Sequence, residues 1–286
     1  MTADVSEVPP DGEADASAAP PTDPDRATAA VPDPEPPRPG ELPLAVLVDY
    51  DGTIATTDVG DVLMAAFIPG AWEAAAAAYD AGRAGSRSLM TLEMAVCRAG
   101  REEMLELALR QPHDPTFAAL VARARAAGAA VEVVSDGFGF YVRPNLERLG
   151  VGDVTIVTND VVWRSGRPEM VFPNGHPACF VCGTCKRRRV LAHKAVGRRV
   201  VFVGDGHSDR YAAGYADVVF AKGSLVGLCE ANGWAYRPWA TFRDVDTWLA
   251  GVVDAWRRDP AALPAPVRRP YYCGPEVWGP GRTDPP

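Results

Sequence analysis

One segment near the start of the chain carries two acidic residues directly after an apolar run. The five apolar residues of Leu44–Val48 lead into Asp49-Tyr-Asp-Gly-Thr53. A run of this length predicts a buried strand, and Gly52 marks its abrupt end. On an extended chain Asp49 and Asp51 point the same way. Two carboxylates facing one spot repel each other unless a cation lies between them or one keeps its proton. The segment therefore favours either a divalent metal site or a nucleophile working beside a general acid.

Two later strands are also predicted to end in polar residues. Val131–Val134 leads into Ser135-Asp-Gly137, and Arg199–Val203 leads into Gly204-Asp-Gly-His-Ser-Asp209. Strands that alternate with helical patterns predict an α/β fold with a parallel, three-layered sheet. Ligands of such sheets bind at the carboxyl ends of the strands. We therefore expect the three polar clusters to meet at one edge of the sheet.

Other segments indicate how the chain is organised around that sheet. Residues 60–111 are predicted to be helical, and a further helix is predicted from Lys186 to Ala195. Residues 154–172 suggest a hairpin with its turn at Asn159-Asp160, because both residues are typical of turns. Residues 259–286 are rich in proline and are expected to form an extended tail.

The charge of the chain says little about its partners, because it is concentrated at one end. The net charge is −8, and residues 1–40 contain nine acids but only two arginines. The remainder is nearly neutral and offers no basic surface for nucleic acid. Residues 1–40 also contain ten prolines, so disorder is expected there. The sequence contains no apolar run long enough to span a membrane and no secretory signal, which favours a cytoplasmic protein.

The chain resembles the haloacid dehalogenase superfamily of aspartate-nucleophile phosphatases through four motifs in the family's order. The motifs are Asp49-Tyr-Asp-Gly-Thr53, Ser135, Lys186, and Gly204-Asp-Gly-His-Ser-Asp209. The resemblance implies a Rossmann-like core formed by residues 41–59 and 112–258. Residues 60–111 would be an inserted helical cap, as in the phosphoserine-phosphatase-like branch (subfamily IB). The hairpin and the Cys-Gly-Thr-Cys sequence before Lys186 are similar to those of the 2-hydroxy-3-keto-5-methylthiopentenyl-1-phosphate phosphatases.

The resemblance also implies a role for each motif residue. Asp49 would attack phosphorus and form an aspartyl-phosphate, and Asp51 would be the general acid and then the general base. Lys186 would supply a fixed positive charge. The phosphate-binding residues would be Thr53, Ser135, Gly137 and Lys186. The Mg²⁺ ligands would be Asp49, Asp205, Asp209 and the backbone carbonyl of Asp51.

Some of these residues also have an ordinary structural interpretation. Ser135 could be a helix cap. Lys186 begins a Lys-Arg-Arg-Arg run, and Arg187, Arg188 and Arg189 are expected to lie on a solvated helix face.

A second candidate metal site lies just before Lys186. His176, Cys179, Cys182 and Cys185 stand at uniform three-residue intervals. Three interpretations stay open, namely structural zinc, redox-sensitive thiols and ordinary loop cysteines. The spacing is tighter than that of the two separated ligand pairs of an ordinary zinc site. An iron–sulfur cluster is disfavoured because no fourth cysteine lies nearby in the sequence.

The expected function is Mg²⁺-dependent hydrolysis of a small phosphorylated metabolite. One alternative is a non-catalytic binding or scaffold protein with the same fold, and another is phosphotransfer to a second substrate, as in mutases. A scaffold gains nothing from holding several costly charges together, which argues against the first. In the cap, Arg83, Arg87, Arg98 and Arg101 are candidates for gripping a substrate carboxylate. The sequence does not indicate the oligomeric state.

Overall fold

The computed structural model describes residues 29–80, 84–269 and 273. The strands are β1 Leu44–Val48, β2 Ala130–Phe138, β3 Thr155–Arg164, β4 Arg167–Val171, β5 Arg199–Gly204, β6 Val218–Ala221 and β7 Arg237–Pro238. The helices are α1 Val59–Phe67, α2 Pro69–Asp80, α3 Ser86–Val96, α4 Arg101–Leu109, α5 Phe117–Ala126, α6 Gly139–Arg148, α7 Lys186–Ala195, α8 Arg210–Ala213, α9 Gly223–Ala231 and α10 Phe242–Arg258.

The seven strands form one sheet in the order β4-β3-β2-β1-β5-β6-β7. Neighbouring strands are parallel except for β3 and β4. All residues of β1 are buried, and alternate ones enter different cores: Val46 and Val48 pack on one face, Leu47 on the other. Because a strand presents successive side chains to opposite faces, β1 is covered on both sides. The predicted three-layered α/β fold is confirmed.

The register of the sheet brings the predicted polar clusters to one edge. Val48 of β1 is paired with Val133 of β2 and with Val203 of β5. Asp49, Ser135 and Asp205 follow these paired residues within two positions. The three strand ends therefore converge, as the sequence predicts.

Helices occupy the region predicted to be helical, and some others were not predicted. Residues 60–111 contain most of α1 and all of α2, α3 and α4, while α7 has the predicted bounds. Helices α6 and α9 and strand β7 were not predicted from the sequence. Helix α6 contains Pro144, and a proline inside a helical pattern normally argues against a helix.

The predicted position of the hairpin turn is wrong. Asn159 and Asp160 lie within the continuous strand β3, and the chain turns instead at Ser165 and Gly166. Both turn residues have positive φ angles, 49° and 74°, as a tight two-residue hairpin turn requires. The buried Asn159 side chain donates to the Asp136 carbonyl oxygen at 2.7 Å. This bond satisfies an amide that would otherwise favour a turn.

Part of the segment predicted to be disordered is ordered against the core. Within residues 29–40, the Val31 N–H donates to Asn174 Oδ1 at 2.9 Å, and Arg189 donates to the Pro32 carbonyl at 2.8 Å. Val31 also packs against the apolar cluster on one face of the sheet, so hydrogen bonds and an apolar contact together hold this segment. The expectation of disorder is corrected for residues 29–40, and residues 1–28 lie outside the described residues.

The predicted C-terminal tail also lies along the core as far as it is described. Lys194 Nζ donates to the Val267 carbonyl at 2.8 Å, and the Val267 N–H donates to Asp217 Oδ1 at 2.7 Å. Arg199 holds the Pro264 carbonyl at 2.9 Å. Among the described residues no helix combines the length and apolar character needed to cross a membrane.

Candidate active site

The loop after β1 holds its first carboxylate at the sheet edge. The Tyr50 N–H donates to Asp49 Oδ1 at 2.7 Å. The chain then bends at Gly52, whose φ is +67°, and a Cβ there would lie 2.3 Å from Asp205 Oδ2. Only glycine permits both this conformation and this close approach. Thr53 Oγ1 donates to Asp205 Oδ1 at 2.6 Å. The loop is therefore fixed to the end of β5.

Lys186 lies at the centre of the acidic cluster, with only 2% of its surface exposed. Its Nζ lies 2.7 Å from Asp49 Oδ2 and 2.7 Å from Asp209 Oδ1. It also donates to Ser208 Oγ at 2.9 Å. The other oxygen of Asp209 accepts the N–H groups of Asp205 and Gly206 at 2.9 and 3.0 Å. One buried cation thus links the first and fourth motifs.

The expectation of a solvated face for the arginines after Lys186 is only partly met. Arg188 is exposed, but Arg187 and Arg189 are buried. Arg189 Nε donates to Glu132 Oε2 of β2 at 2.9 Å. A buried, paired arginine reflects the packing of α7 on the sheet, which a charge run in a sequence does not reveal.

Three carboxylates of the cluster are close enough to share one ion. Oxygens of Asp49, Asp205 and Asp209 all lie within 4.8 Å of one another. Burial, followed by the charge of Asp209, raises the pKa of Asp49 well above its usual value and that of Asp205 to about 6. Lys186 alone does not offset this concentration of negative charge. A divalent cation would do so, and an all-oxygen donor set suits a hard cation.

Asp51 has different surroundings from Asp49. Its carboxylate accepts hydrogen bonds from the Val59 N–H at 3.1 Å and from the Tyr141 hydroxyl at 3.1 and 3.2 Å. Ser135 Oγ lies 3.4 Å from Asp51 Oδ2 and accepts the Gly137 N–H at 2.8 Å. Burial raises the pKa of Asp51 to about 6, although the Tyr141 hydrogen bond opposes this shift. A carboxyl with such a pKa can hold and release a proton near neutral pH.

A cleft of about 1360 Å³ opens over these residues and is closed on its far side by α1, α2 and α3. The helices contribute apolar side chains together with acidic ones. The apolar residues are Met64, Trp72, Leu89 and Met90, and the acidic residues are Asp58, Asp61 and Glu93.

No arginine appears among the described residues that line this cleft. The guanidinium of Arg87 lies over the rings of Phe172 and Phe180, at 4.7 and 5.2 Å. Arg98 donates to the carbonyls of its own helix end. Arg83 lies outside the described residues. The hypothesis that cap arginines grip a carboxylate is therefore not supported by the described part of the cleft.

Two cleft residues were missed by the sequence analysis. Tyr141 contacts Asp51 from α6, one helix turn beyond the second motif, and nothing in the sequence separates it from a core aromatic. Glu93 is 5% exposed and faces the cleft from α3. Burial, and then the charge of Asp61, raises the pKa of Glu93 to about 7. An acid on the buried face of an apolar helix was the one signal that could have identified it.

The cysteines before Lys186 lie around a separate small cavity. Its lining includes His176, Cys179, Cys182 and Cys185, and also Cys273, which the sequence analysis did not consider. His176 Nδ1 accepts the Ala178 N–H at 3.2 Å. A metal-binding role for this loop stays a prediction.

Comparison with known proteins gives consistent matches. The profile of the haloacid dehalogenase-like hydrolases matches residues 46–214. A 2-hydroxy-3-keto-5-methylthiopentenyl-1-phosphate phosphatase of Exiguobacterium sp. strain AT1b is 29% identical over 216 residues, covering 72% of this chain and 97% of that protein. The same-named enzyme of Brevibacillus brevis is 26% identical over 71% of this chain and 93% of its own length.

Solved structures show the same fold at lower sequence identity. A phosphoserine phosphohydrolase-like protein from Francisella tularensis aligns with a TM-score of 0.56 at 16% identity, over 72% of this chain and 99% of its own. Phosphoserine phosphatase from T. onnurineus aligns with a TM-score of 0.56 at 15% identity, over 74% of this chain and 96% of its own.

Proposed function

Since the chain belongs to the haloacid dehalogenase-like hydrolase family, we propose that it hydrolyses phosphomonoesters of small metabolites through an aspartyl-phosphate on Asp49. The observation that carries this proposal is the position of two differently held carboxylates on the same cleft. Asp49 is ion-paired with Lys186, whereas Asp51 lies beside Tyr141 and Ser135 with a raised pKa. One carboxylate is thus placed as a nucleophile and the other as a proton donor.

The two carboxylates would act in sequence. Asp49 attacks phosphorus while the protonated Asp51 gives its proton to the leaving oxygen, which departs as an alcohol. Asp51, now ionised, then takes a proton from the water that attacks the phosphorylated Asp49. Inorganic phosphate leaves, and both carboxyls return to their starting states. Lys186 and Ser135 stabilise the charge on the phosphoryl oxygens.

We propose Mg²⁺ as the cofactor because the buried oxygen donors fit a hard divalent cation. Asp49, Asp205, Asp209 and the carbonyl of Asp51 would hold it. When bound, the ion neutralises negative charge on the phosphoryl group. Thr53 supports the site by holding Asp205 at 2.6 Å.

The lining of the cap favours a substrate whose organic part is apolar and carries no carboxylate. Met64, Trp72, Leu89 and Met90 supply apolar contacts, and the acidic side chains beside them offer no cation to pair with a substrate carboxylate. A methylthiopentenyl phosphate, the substrate named for the relatives, carries a thioether and no carboxylate. We propose a substrate of this kind in preference to a phosphate ester that carries a carboxylate without an amine.

The test is phosphate release from a panel of phosphorylated metabolites, with and without Mg²⁺, using the wild type and Asp49→Asn. We expect Mg²⁺-dependent release that falls by at least about a thousandfold in the variant. Asp153→Asn is the matched control, because Asp153 pairs with Arg125 on the surface and should be neutral. Substantial turnover by Asp49→Asn would reject Asp49 as nucleophile. No release by folded wild type would favour a non-catalytic binding protein, and a phosphorylated second product would indicate a mutase.

A further inference from the structure

Four of the six cysteines line one small cavity that the proposed phosphatase reaction does not use. Cys179, Cys182 and Cys185 come from the loop before α7, and Cys273 comes from the C-terminal segment. The Cys182 thiol has each of the other three as an electrostatic neighbour. None of the four forms a disulfide. The fold therefore brings together four cysteines that form no disulfide, from two distant parts of the chain.

The C-terminal segment is held by the core in a way that delivers Cys273 to this cavity. Val267 is bound on both sides, by Lys194 and by Asp217. Arg269 then donates to the Ala213 carbonyl at 2.7 Å. These contacts lead the chain across α7 and α8 toward the cysteine loop. This docking places Cys273 at the edge of the cysteine cavity.

The spacing of the cysteines distinguishes between kinds of metal centre. Three cysteines, each separated from the next by two residues, with the fourth ligand supplied by a distant part of the chain, form the ligand pattern of a four-iron cluster in bacterial ferredoxins. Here the distant cysteine is Cys273. Structural zinc sites instead use two separated ligand pairs. We propose that Cys179, Cys182, Cys185 and Cys273 bind a [4Fe–4S] cluster.

The separation of the thiols agrees with this choice. Tetrahedral zinc, with Zn–S bonds near 2.3 Å, holds its sulfurs about 3.8 Å apart, whereas the corners of an Fe₄S₄ cube hold theirs roughly 6 Å apart. In the part of the chain that the structure describes, no three cysteine sulfurs all lie within 4.8 Å of one another.

The local environment would stabilise the negative charge of such a cluster. Cys185 is the residue before α7, so the positive end of that helix faces the cavity. Burial raises the pKa of the Cys185 thiol to about 11, and the nearby backbone N–H of Arg188 opposes that shift by favouring the thiolate. The buried Arg187 also lines the cavity. Each thiol would release its proton on binding iron.

The cluster would have a structural role, because its ligands border the catalytic lysine. Cys185 immediately precedes Lys186, and the Thr184 N–H donates to Asp136 Oδ1 at 2.6 Å. Binding of one rigid group by both the loop and the C-terminal segment would fix the start of α7. No electron transfer is required of it.

The proposal is tested by metal analysis of the full chain purified without oxygen from iron-supplied cells. We expect about four iron atoms and four acid-labile sulfides per chain, with the broad visible absorption of a cluster. Cys273→Ala should lose at least half of the iron. Cys229→Ala is the matched control, since Cys229 is a buried cysteine away from the cavity, and it should retain all of it. Circular dichroism checks that each variant is folded. If Cys273→Ala does not fold, Cys179→Ala is used in its place.

Three outcomes would overturn the proposal. Protein that contains about one zinc and no iron would have a mononuclear site. Protein that takes up neither metal, even after reconstitution with iron and sulfide, would have ordinary thiols. Iron content unchanged in Cys273→Ala would exclude that residue as a ligand. Because the readout is metal content, none of these results depends on phosphatase activity.

Discussion

Substitution of Gly85 by alanine tests whether the cysteine loop and the cap are rigidly joined. A Cβ on Gly85 would lie 2.2 Å from the Val181 carbonyl oxygen and 2.9 Å from two further backbone atoms of Val181. Because Cβ atoms are essentially never found within 3.0 Å of such neighbours, the two backbones must separate by roughly 1 Å. Overpacking of this kind costs about 1–3 kcal/mol. The Arg87 N–H bond to the same oxygen, 3.1 Å long, would be strained or lost.

Gly100 provides a control with the same local geometry. Both glycines precede a helix with extended backbone, at φ −87° and −73°, and neither caps it with a side chain. A Cβ on Gly100 meets nothing within 4 Å. Any general effect of alanine at a helix start is therefore shared by both variants. The difference between them isolates the contact with Val181.

The assay is thermal unfolding together with steady-state kinetics. We expect Gly85→Ala to unfold about 2–12 °C below Gly100→Ala. Its kcat should fall by up to about a hundredfold, because the displaced loop leads into Lys186 and a shift of 1 Å can cost that much. Equal melting temperatures for the two variants, or an unchanged kcat for Gly85→Ala, would refute the reasoning.

Three further predictions concern single side chains of the cleft. Thr53→Val removes the hydroxyl that holds Asp205, so Mg²⁺ activation should weaken roughly tenfold; an unchanged Mg²⁺ titration contradicts this. Asp51→Asn should slow hydrolysis of alkyl phosphates by about a hundredfold or more, but that of p-nitrophenyl phosphate much less, because its leaving group needs no proton. Equal losses would reject Asp51 as the acid. Glu93, with a pKa of about 7, becomes negatively charged as the pH rises through 7. A substrate carboxylate about 8 Å away is then destabilised by about 2 kcal/mol, which lowers kcat/KM for that substrate roughly thirtyfold. The ratio of kcat/KM for an uncharged ester to that for a phosphate ester that carries a carboxylate and no amine, such as 2-phosphoglycolate, should therefore rise with pH in the wild type and stay flat in Glu93→Gln.

The parts of the fold that were predicted correctly are those whose signals are local. The strand Leu44–Val48 is a continuous apolar run, and α7 begins at Lys186 and ends before a glycine-containing turn. Asn159-Asp160 misled the prediction because its turn preference is overridden by a tertiary hydrogen bond to Asp136. The intrinsic turn preference of a residue is overridden when the folded structure supplies a hydrogen-bond partner for its side chain.

The candidate site was predicted only where sequence spacing reflects distance in space. Asp49 and Asp51 share a loop, so their proximity is visible in the sequence. Tyr141 reaches Asp51 from another helix, and Cys273 lies far along the chain from Cys185. Neither contact leaves a pattern that a periodicity or a motif could show. The acidic character of the cap emerges only when α1 and α3 are placed around one cleft.

The attachment of α1 and α3 to the sheet edge has a consequence for how molecules enter and leave the cleft. Helix α1 begins at Val59, whose N–H is held by Asp51, and α3 begins at Ser86, whose hydroxyl donates to Asp136 at 2.7 Å. Between these two anchors lies α2, and none of its described side chains is buried. We therefore expect exchange with solvent to require movement of α2 alone, while α1 and α3 keep their contacts with the sheet edge. If product release limits turnover, kcat should change in parallel with the rate of amide hydrogen exchange in α2. The amides of α1 and α3 should stay protected from exchange during turnover.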